Sequence, residues 1–367
     1  MSATLTPPSP ADLDDAPAPV RPPGGRSWTV LRLHRSALWV WIAYVALGAG
    51  LLLWAWGPAV NEMRSALATC DMAAGTAPPC ATSVHMTANT YQDFLVWGFY
   101  AIFLAPLLVG AWAAASLTAR EMETGTAQLA WTQSVTPTRW LTTKLTLPAV
   151  AVTAGMTLLL ALYRLAHLEG AGPYRAIRGE TRSWWQEDVF TATGVVMVPR
   201  VLCAVAVGVL LGLLLRRTLA SLGTGLALMG GGTVAFVVGR HLLWPTEIAY
   251  GSTTGSPMPH GDLGHGSRHV ADGVVTESGA LVEGNGGAAD WDCYDAARRQ
   301  SGFDADGYFD CLRKEGITDV WTTYHPKSHF WPIQLVESGI WLAVAALAVF
   351  LSYRVLRNRT AAGRGAA

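Results

Sequence analysis

Six long apolar runs, at 37–57, 94–116, 147–167, 194–215, 219–244 and 335–353, constrain this chain more than any other feature. Each approaches the roughly 20 residues that a helix needs to cross the hydrocarbon core of a bilayer. No water reaches the backbone there, so such a run must satisfy its own hydrogen bonds as a helix. Buried helices of a large soluble protein would carry polar stripes of helical period, and these runs do not. Pro106, Pro148 and Pro199 lie inside or beside them, which a bundled membrane helix tolerates because neighbours satisfy the freed carbonyls. Trp39, Trp41, Trp54, Trp56, Trp97, Trp112, Trp331 and Trp341 lie in or beside the runs, several near run ends where an indole prefers the interface. Composition agrees, with 51% of the residues hydrophobic and 14% charged, against about a quarter charged in a soluble domain. The expected fold is an all-α polytopic membrane protein of six transmembrane helices, with a large extracellular loop between spans five and six.

Orientation follows from the basic residues. With both termini cytoplasmic, the inner segments carry thirteen Arg and Lys: Arg21, Arg26, Arg32, Arg35, Arg120, Arg139, Lys144, Arg216, Arg217, Arg354, Arg357, Arg359 and Arg364. The two short outer loops carry only Arg64, Arg175, Arg178 and Arg182. That asymmetry puts the termini inside. The 245–334 loop is too long for its charges to count under this rule and faces out. The zero net charge of the chain is thus a cancellation between a basic inside and an acidic outside loop, and it excludes the basic field that a nucleic-acid partner would need. The expected setting is the cell membrane.

The same topology sorts the cysteines. Cys70 and Cys80 fall in the first outer loop, Cys293 and Cys311 in the large one, and Cys203 alone within a span. In an oxidising compartment this predicts two disulfides, each local to its loop, although four cysteines admit three pairings. Residues 1–26, with seven prolines, form an expected disordered tail that lacks the pattern of a cleaved secretory signal. The six-span domain is expected over 27–356 and a second cytoplasmic tail over 357–367. Between Pro245 and Ala289 the large loop is rich in Gly and Ser and expected to be mobile, whereas 290–320 is expected to be ordered, with a helix from about 293 to 300.

The cytoplasmic segment 118–146 is the most distinctive stretch. It contains Arg120-Glu121-Met122-Glu123-Thr124-Gly125-Thr126, then Leu129-Ala130-Trp131-Thr132-Gln133-Ser134-Val135-Thr136, and then Arg139-Trp140-Leu141 and Lys144. Glu121 and Glu123 are expected to open a short helix, where carboxylates suit the positive dipole end. Thr136-Pro137 is an N-cap and first-turn pair that starts a second helix running into span three. In these motifs the chain resembles the permease subunits of type-2 ATP-binding-cassette (ABC) exporters, in particular their actinobacterial branch. The Leu-Leu-Leu-Arg-Arg-Thr stretch ending at Thr218, Tyr324-His325-Pro326 and Phe330-Trp331-Pro332 support the resemblance.

That resemblance implies a permease that forms a homodimer or heterodimer in the lipid bilayer, rests on ABC ATP-binding subunits and works by alternating access. It also implies that Glu121, Glu123, Gly125 and Thr126 contact the ATPase, with Arg139 and Lys144 in support; head-group anchoring explains these two bases equally well. The 28–36 segment resembles an interfacial helix before span one. The chain has no GxxxxGK[ST], HExxH or GxSxG motif, so it is not expected to be an enzyme and needs no cofactor of its own; ATP and magnesium belong to the partner subunit.

Arg200, Arg240, Arg164 and Glu337 fall within or at the ends of spans, where an ionisable group must face the bundle or a cavity, or snorkel out. Arg200, Arg240 and Glu337 either line an outer cavity for an anionic group of the substrate or pair with one another. His260, His265, His269, His325 and His329 do not complete a metal-ligand pattern, and Asp304–Asp310 lacks that of a calcium loop. The expected cargo is a small amphipathic molecule. The competing class is a membrane sensor or immunity module that binds an extracellular ligand without transport.

Overall fold

The computed structural model describes residues 35–70, 78–132, 136–179, 182–252, 266–284, 288–298 and 304–364. Helix α1 runs Arg35–Thr69 with a π-helical turn at Ala55–Ala59, where Pro58 has no N–H for a regular helical bond. Helix α2 starts at Pro78, turns π-helical over Ala113–Ala119 and ends at Arg120–Glu123. Then come α3 (Thr126–Thr132), α4 (Pro137–Arg178), the short α5 (Glu187–Thr193), α6 (Met197–Leu215) and α7 (Thr218–Gly239), which closes with a 3-10 turn at Arg240–Leu242. The final helix, α10, spans Phe330–Arg364.

Six of these helices, α1, α2, α4, α6, α7 and α10, are long and apolar enough to cross a membrane. Most outrun their apolar cores. Helix α4 begins at Pro137, with Thr136 extended at the N-cap position, and stops where Gly179 turns left-handed (φ 79°), its N–H bonding Arg175 O at 2.8 Å. Helix α10 continues well past 353; Tyr353 meets the Thr142 hydroxyl at 2.7 Å and the Arg359 Nη1 donates to Leu213 O at 2.6 Å, so its end is tied to α4 and α6. The segment expected at 28–36 lies outside the described residues except for Arg35 and Ser36.

Helix α6 is the centre of the bundle. Its span is 67% buried, against 17% for α7, and it packs on α2, α4, α7 and α10. Small residues permit the closest of these approaches. A Cβ on Gly212 would stand 2.1 Å from Thr118 Oγ1 and 2.7 Å from Ala119 N, both in the π-segment of α2. The Thr118 hydroxyl in turn donates to Val209 O at 3.0 Å. The widened turn of α2 therefore sits directly against the backbone of α6, just before the loop that carries Glu121.

The expectation of an all-α chain needs correcting between α7 and α10. Strands β1 (Glu247–Ser252), β2 (Arg268–Thr276), β3 (Leu281–Glu283) and β4 (Ile317–His325) form an antiparallel sheet in the order β1-β4-β2-β3. Three of these strands fall in the stretch expected to be mobile. The β2–β3 hairpin turns at left-handed Gly279 (φ 78°), with the Gly279 N–H on Thr276 O at 2.8 Å. Gly273 lets the Trp321 indole lie across the sheet, where its Nε1 donates to Val274 O at 3.2 Å. Helices α8 (Ala288–Arg298) and α9 (Ala305–Lys314) carry Cys293 and Cys311, which form a disulfide. Val274, Cys293, Phe309, Leu312 and Ile317 make a small core of their own. This cap is thus a miniature α/β layer fixed by one cross-link.

Two outcomes follow. Gly212→Leu should cost about 3 kcal/mol or prevent assembly by forcing α2 off α6, measured as thermal unfolding in nanodiscs. Cys311→Ser should cost the cap about 3 kcal/mol while leaving the bundle intact, read as selective proteolysis between α7 and α10.

Candidate functional site

Helix α2 ends in Arg120–Glu123, turns at Thr124 and left-handed Gly125 (φ 74°), and resumes as α3 at Thr126. Glu121 and Glu123 therefore close one helix instead of opening the next. Carboxylates are unfavourable at a helix C-terminus, and each is compensated from elsewhere. Glu121 Oε1 lies 2.5 Å from Lys144 Nζ, and its Oε2 accepts from Trp140 Nε1 at 3.1 Å. Both partners stand in the first turns of α4 and are buried, so this is a clasp across the loop. Trp140 packs edge-on against Trp131 of α3, with ring centroids 5.7 Å apart.

Glu123 reaches further. Its Oε2 accepts from the backbone N–H of Thr218 at 3.0 Å and from the Thr218 hydroxyl at 2.5 Å, across 95 residues of sequence. A carboxylate thus caps the positive end of α7, and the dipole argument applied to these glutamates holds for a different helix from the expected one. Before Thr218, the chain leaves α6 through left-handed Arg216 (φ 53°) and extended Arg217. Gly125 and Thr126 stand exposed on the turn, as does Arg139 on α4, whereas Lys144 is buried. Of the six loop residues singled out in the sequence, Glu121 and Lys144 join directly, Glu123 joins α7, and Gly125, Thr126 and Arg139 form the open rim.

At the other end of the helices, next to the cap, a second constellation is closed and apolar-walled. Arg200 of α6 is fully buried and its Nη2 lies 2.5 Å from Glu337 Oε1 of α10. The other carboxylate oxygen accepts from Arg240 Nε at 3.1 Å. Arg240 Nη1 and Nη2 reach the two oxygens of Glu187 on α5 at 2.5 and 3.3 Å. Two guanidiniums and two carboxylates thus alternate, with Trp341 stacked 5.4 Å from Arg200 and Phe190 4.0 Å from Arg240. Arg200, Arg240 and Glu337 are brought together by pairing with one another, the second of the two arrangements that the sequence left open. Glu187 was missed because it lies outside every apolar run; an acidic pair, Glu187-Asp188, next to a span end was the available signal.

Helix α5 holds this arrangement in place. Asp188 accepts from Tyr163 OH at 3.0 Å and from Arg182. Gln334 Oε1 accepts from the N–H groups of Val195 and Val196, both at 3.1 Å, and its Nε2 donates to Phe190 O at 2.6 Å. A Cβ on Gly194 would collide with that amide. Trp184, Phe190 and Ile333 pack beside it as an apolar plug.

Cys70 is disulfide-bonded, the side chain of Cys80 lies outside the described residues, and Cys203 is a buried free thiol. His260 and His265 also lie outside the described residues. Among the described residues no group of three or more His, Cys, Asp or Glu is placed to hold a metal ion.

Residues 42–240 match the model of the family described as ABC-2 membrane transporter related. No curated protein and no solved structure matches the chain. The match covers the loop clasp, α5, Arg200 and Arg240, but ends before the cap and Glu337.

Because a broken buried pair strands a charge, Glu337→Ala should cost about 3–5 kcal/mol. Arg200→Met with Glu337→Leu, which removes a neutral pair together and leaves Arg240 on Glu187, should cost less than that single change. Thermal unfolding of both variants in nanodiscs checks the order.

Proposed function

We propose, from the premise that the chain belongs to the ABC-2 membrane transporter related family, that it is the permease subunit of an ABC exporter and takes its energy from ATP hydrolysed on a separate subunit. Within that family we assign it to the actinobacterial type-2 exporters, on the RExExGT and LAWTQSVT motifs. The proposed setting is the plasma membrane with both termini cytoplasmic, supported by thirteen basic residues on one set of connections against four on the other. The proposed cargo is a small amphipathic molecule.

The observation that carries this reading is the double tie of the 120–144 segment. Glu121 locks the loop to α4, and Glu123 locks it to the start of α7. A soluble partner pressing on the exposed rim at Gly125, Thr126 and Arg139 therefore acts on two spans at once. ATP would close the partner subunits, the loops would move with them, and the spans would rearrange to present the cargo outward. Such a shift requires a ligand that distinguishes the two states, here ATP on the partner. In this reading the rim makes the contact, and Glu121 and Glu123 keep it rigid.

A second permease chain has a packing face available. Gly223, Ala227, Gly231 and Ala235 recur every fourth residue on α7 and are all exposed. Such small-residue rows let helix backbones approach closely in lipid.

Two measurements test the proposal. Thr126→Arg with Arg139→Glu should lower co-purification of a P-loop ATPase about tenfold, equivalent to about 1.4 kcal/mol, without changing the unfolding temperature of the permease alone. Glu121→Gln with Glu123→Gln should leave the rim chemistry in place but uncouple efflux from ATP hydrolysis. Unchanged ATPase association in the first variant together with unchanged efflux in the second removes the coupling assignment and favours a sensor that transports nothing.

A further inference from the structure

Strand β4 ends at His325, and Pro326 with a 3-10 turn at Lys327–His329 carries the chain into α10. His325 is fully buried and His329 is 9% exposed. Their Nδ1 atoms face each other at 3.1 Å. On one side, His329 Nε2 lies 3.3 Å from Glu247 Oε1 of β1. On the other, His325 Nε2 lies 3.1 Å from His241 O at the end of α7. A chain of four groups thus crosses from the first cap strand, through the start of α10 and the last cap strand, to the end of a span.

The proton count of this chain is fixed by its ends. A carbonyl and a carboxylate only accept, so both Nε2 atoms must carry hydrogen. The Nδ1 contact needs one proton and has no room for two. Three protons sit on four ring nitrogens, and the pair carries a single positive charge. The surroundings place that charge on His329: Glu247 is beside it, whereas His325 is buried and stands opposite Arg268 in the β2–β4 register. The other titratable or charged groups nearby are His241, Arg240 and Glu187 near the end of α7, Lys327 in the turn, and Tyr324, whose hydroxyl donates to Glu247 Oε2 at 3.2 Å. Burial, reinforced by His329, Arg268 and His241 and partly offset by the bond to His241 O, holds the His325 pKa below its ordinary value.

We propose that His325 and His329 form a proton-counting joint that fastens the cap to the ends of α7 and α10 only while it holds three protons. A fourth proton on His325 Nδ1 replaces the ring-to-ring bond with two imidazoliums face to face. Loss of the third leaves one of the three contacts without a hydrogen. The sign on the acid side is set by the lowered His325 pKa: the ring-to-ring bond is lost as pH falls through the folded-state value, which lies below the ordinary histidine value of ~6.5. The joint is independent of the transport reading, since any ligand-binding role of the cap would use the same fastening.

Hydrogen exchange of the full chain in nanodiscs tests it, with rates corrected for intrinsic pH dependence and the β2–β3 hairpin as internal reference. Amides from Thr322 to Trp331 should lose protection about tenfold between about pH 7 and about pH 5. His325→Asn, which cannot protonate, should abolish the acid loss. Glu247→Gln, which removes the charge beside His329 Nε2, should lower the protection of the same amides at about pH 7. The carboxylate of Glu247 is half exposed, so this variant and the wild type decide the question even if His325→Asn opens the joint at every pH. Protection that stays flat between about pH 7 and about pH 5, or a Glu247→Gln variant as well protected as the wild type at about pH 7, overturns the proposal.

Discussion

A fully buried guanidinium sets the terms for this bundle. Arg200 stands at the start of the most buried span, fully buried and against Trp341, where an unpaired charge is prohibitively unfavourable. Its neutralisation requires Glu337 from α10, which also holds Arg240 from α7, which in turn requires Glu187 from α5. Four helices are thereby positioned at the cap end by one alternating series of charges. Apolar surfaces in lipid slide with little penalty, since lipid chains are as apolar as leucine side chains. Opposite charges in a low dielectric do not, so this series supplies specificity that the leucine-rich faces lack.

The opposite end is organised by a related economy. Glu121 and Glu123 lie at a helix terminus that repels them, and both find relief at the start of another helix. The loop between α2 and α4 is consequently tied to two other helices, and among its described residues the Gly125–Thr126 turn is exposed, as is Arg139 on α4. The π-segment of α2 lies between this loop and the contact with Gly212, so a displacement of the loop bears on the most tightly packed part of α6.

How far the fold was legible depended on the range of the forces involved. The six spans follow from hydropathy, which is local and cumulative, and the start of α4 follows from Thr136-Pro137. The pairing of Arg200 with Glu337 could be anticipated because only a few charges occupy the spans. Glu187 could not, because it belongs to a connection and its role exists only once α5 folds back toward α7. Likewise the partner of Glu123 lies 95 residues away, and local dipole reasoning assigned that glutamate to the wrong helix. The sheet was hidden by the Gly and Ser of 245–289, which dilute the alternation of β2 and β3; yet Val274-Val275-Thr276 and Leu281-Val282, separated by a turn at Gly279, were a readable hairpin.

The central claim is that the 120–144 loop and the beginning of α7 move as one body under the action of an ATPase. Spin labels at Gln128 and Leu219, both exposed, measure this directly by double electron–electron resonance on the reconstituted complex, with and without ATP and vanadate. The account predicts one narrow Gln128–Leu219 distance that nucleotide leaves unchanged, while the distance between Gln128 and its counterpart in the second permease chain shifts. A broad Gln128–Leu219 distribution that moves with nucleotide, or an inter-chain distance that does not, would contradict it.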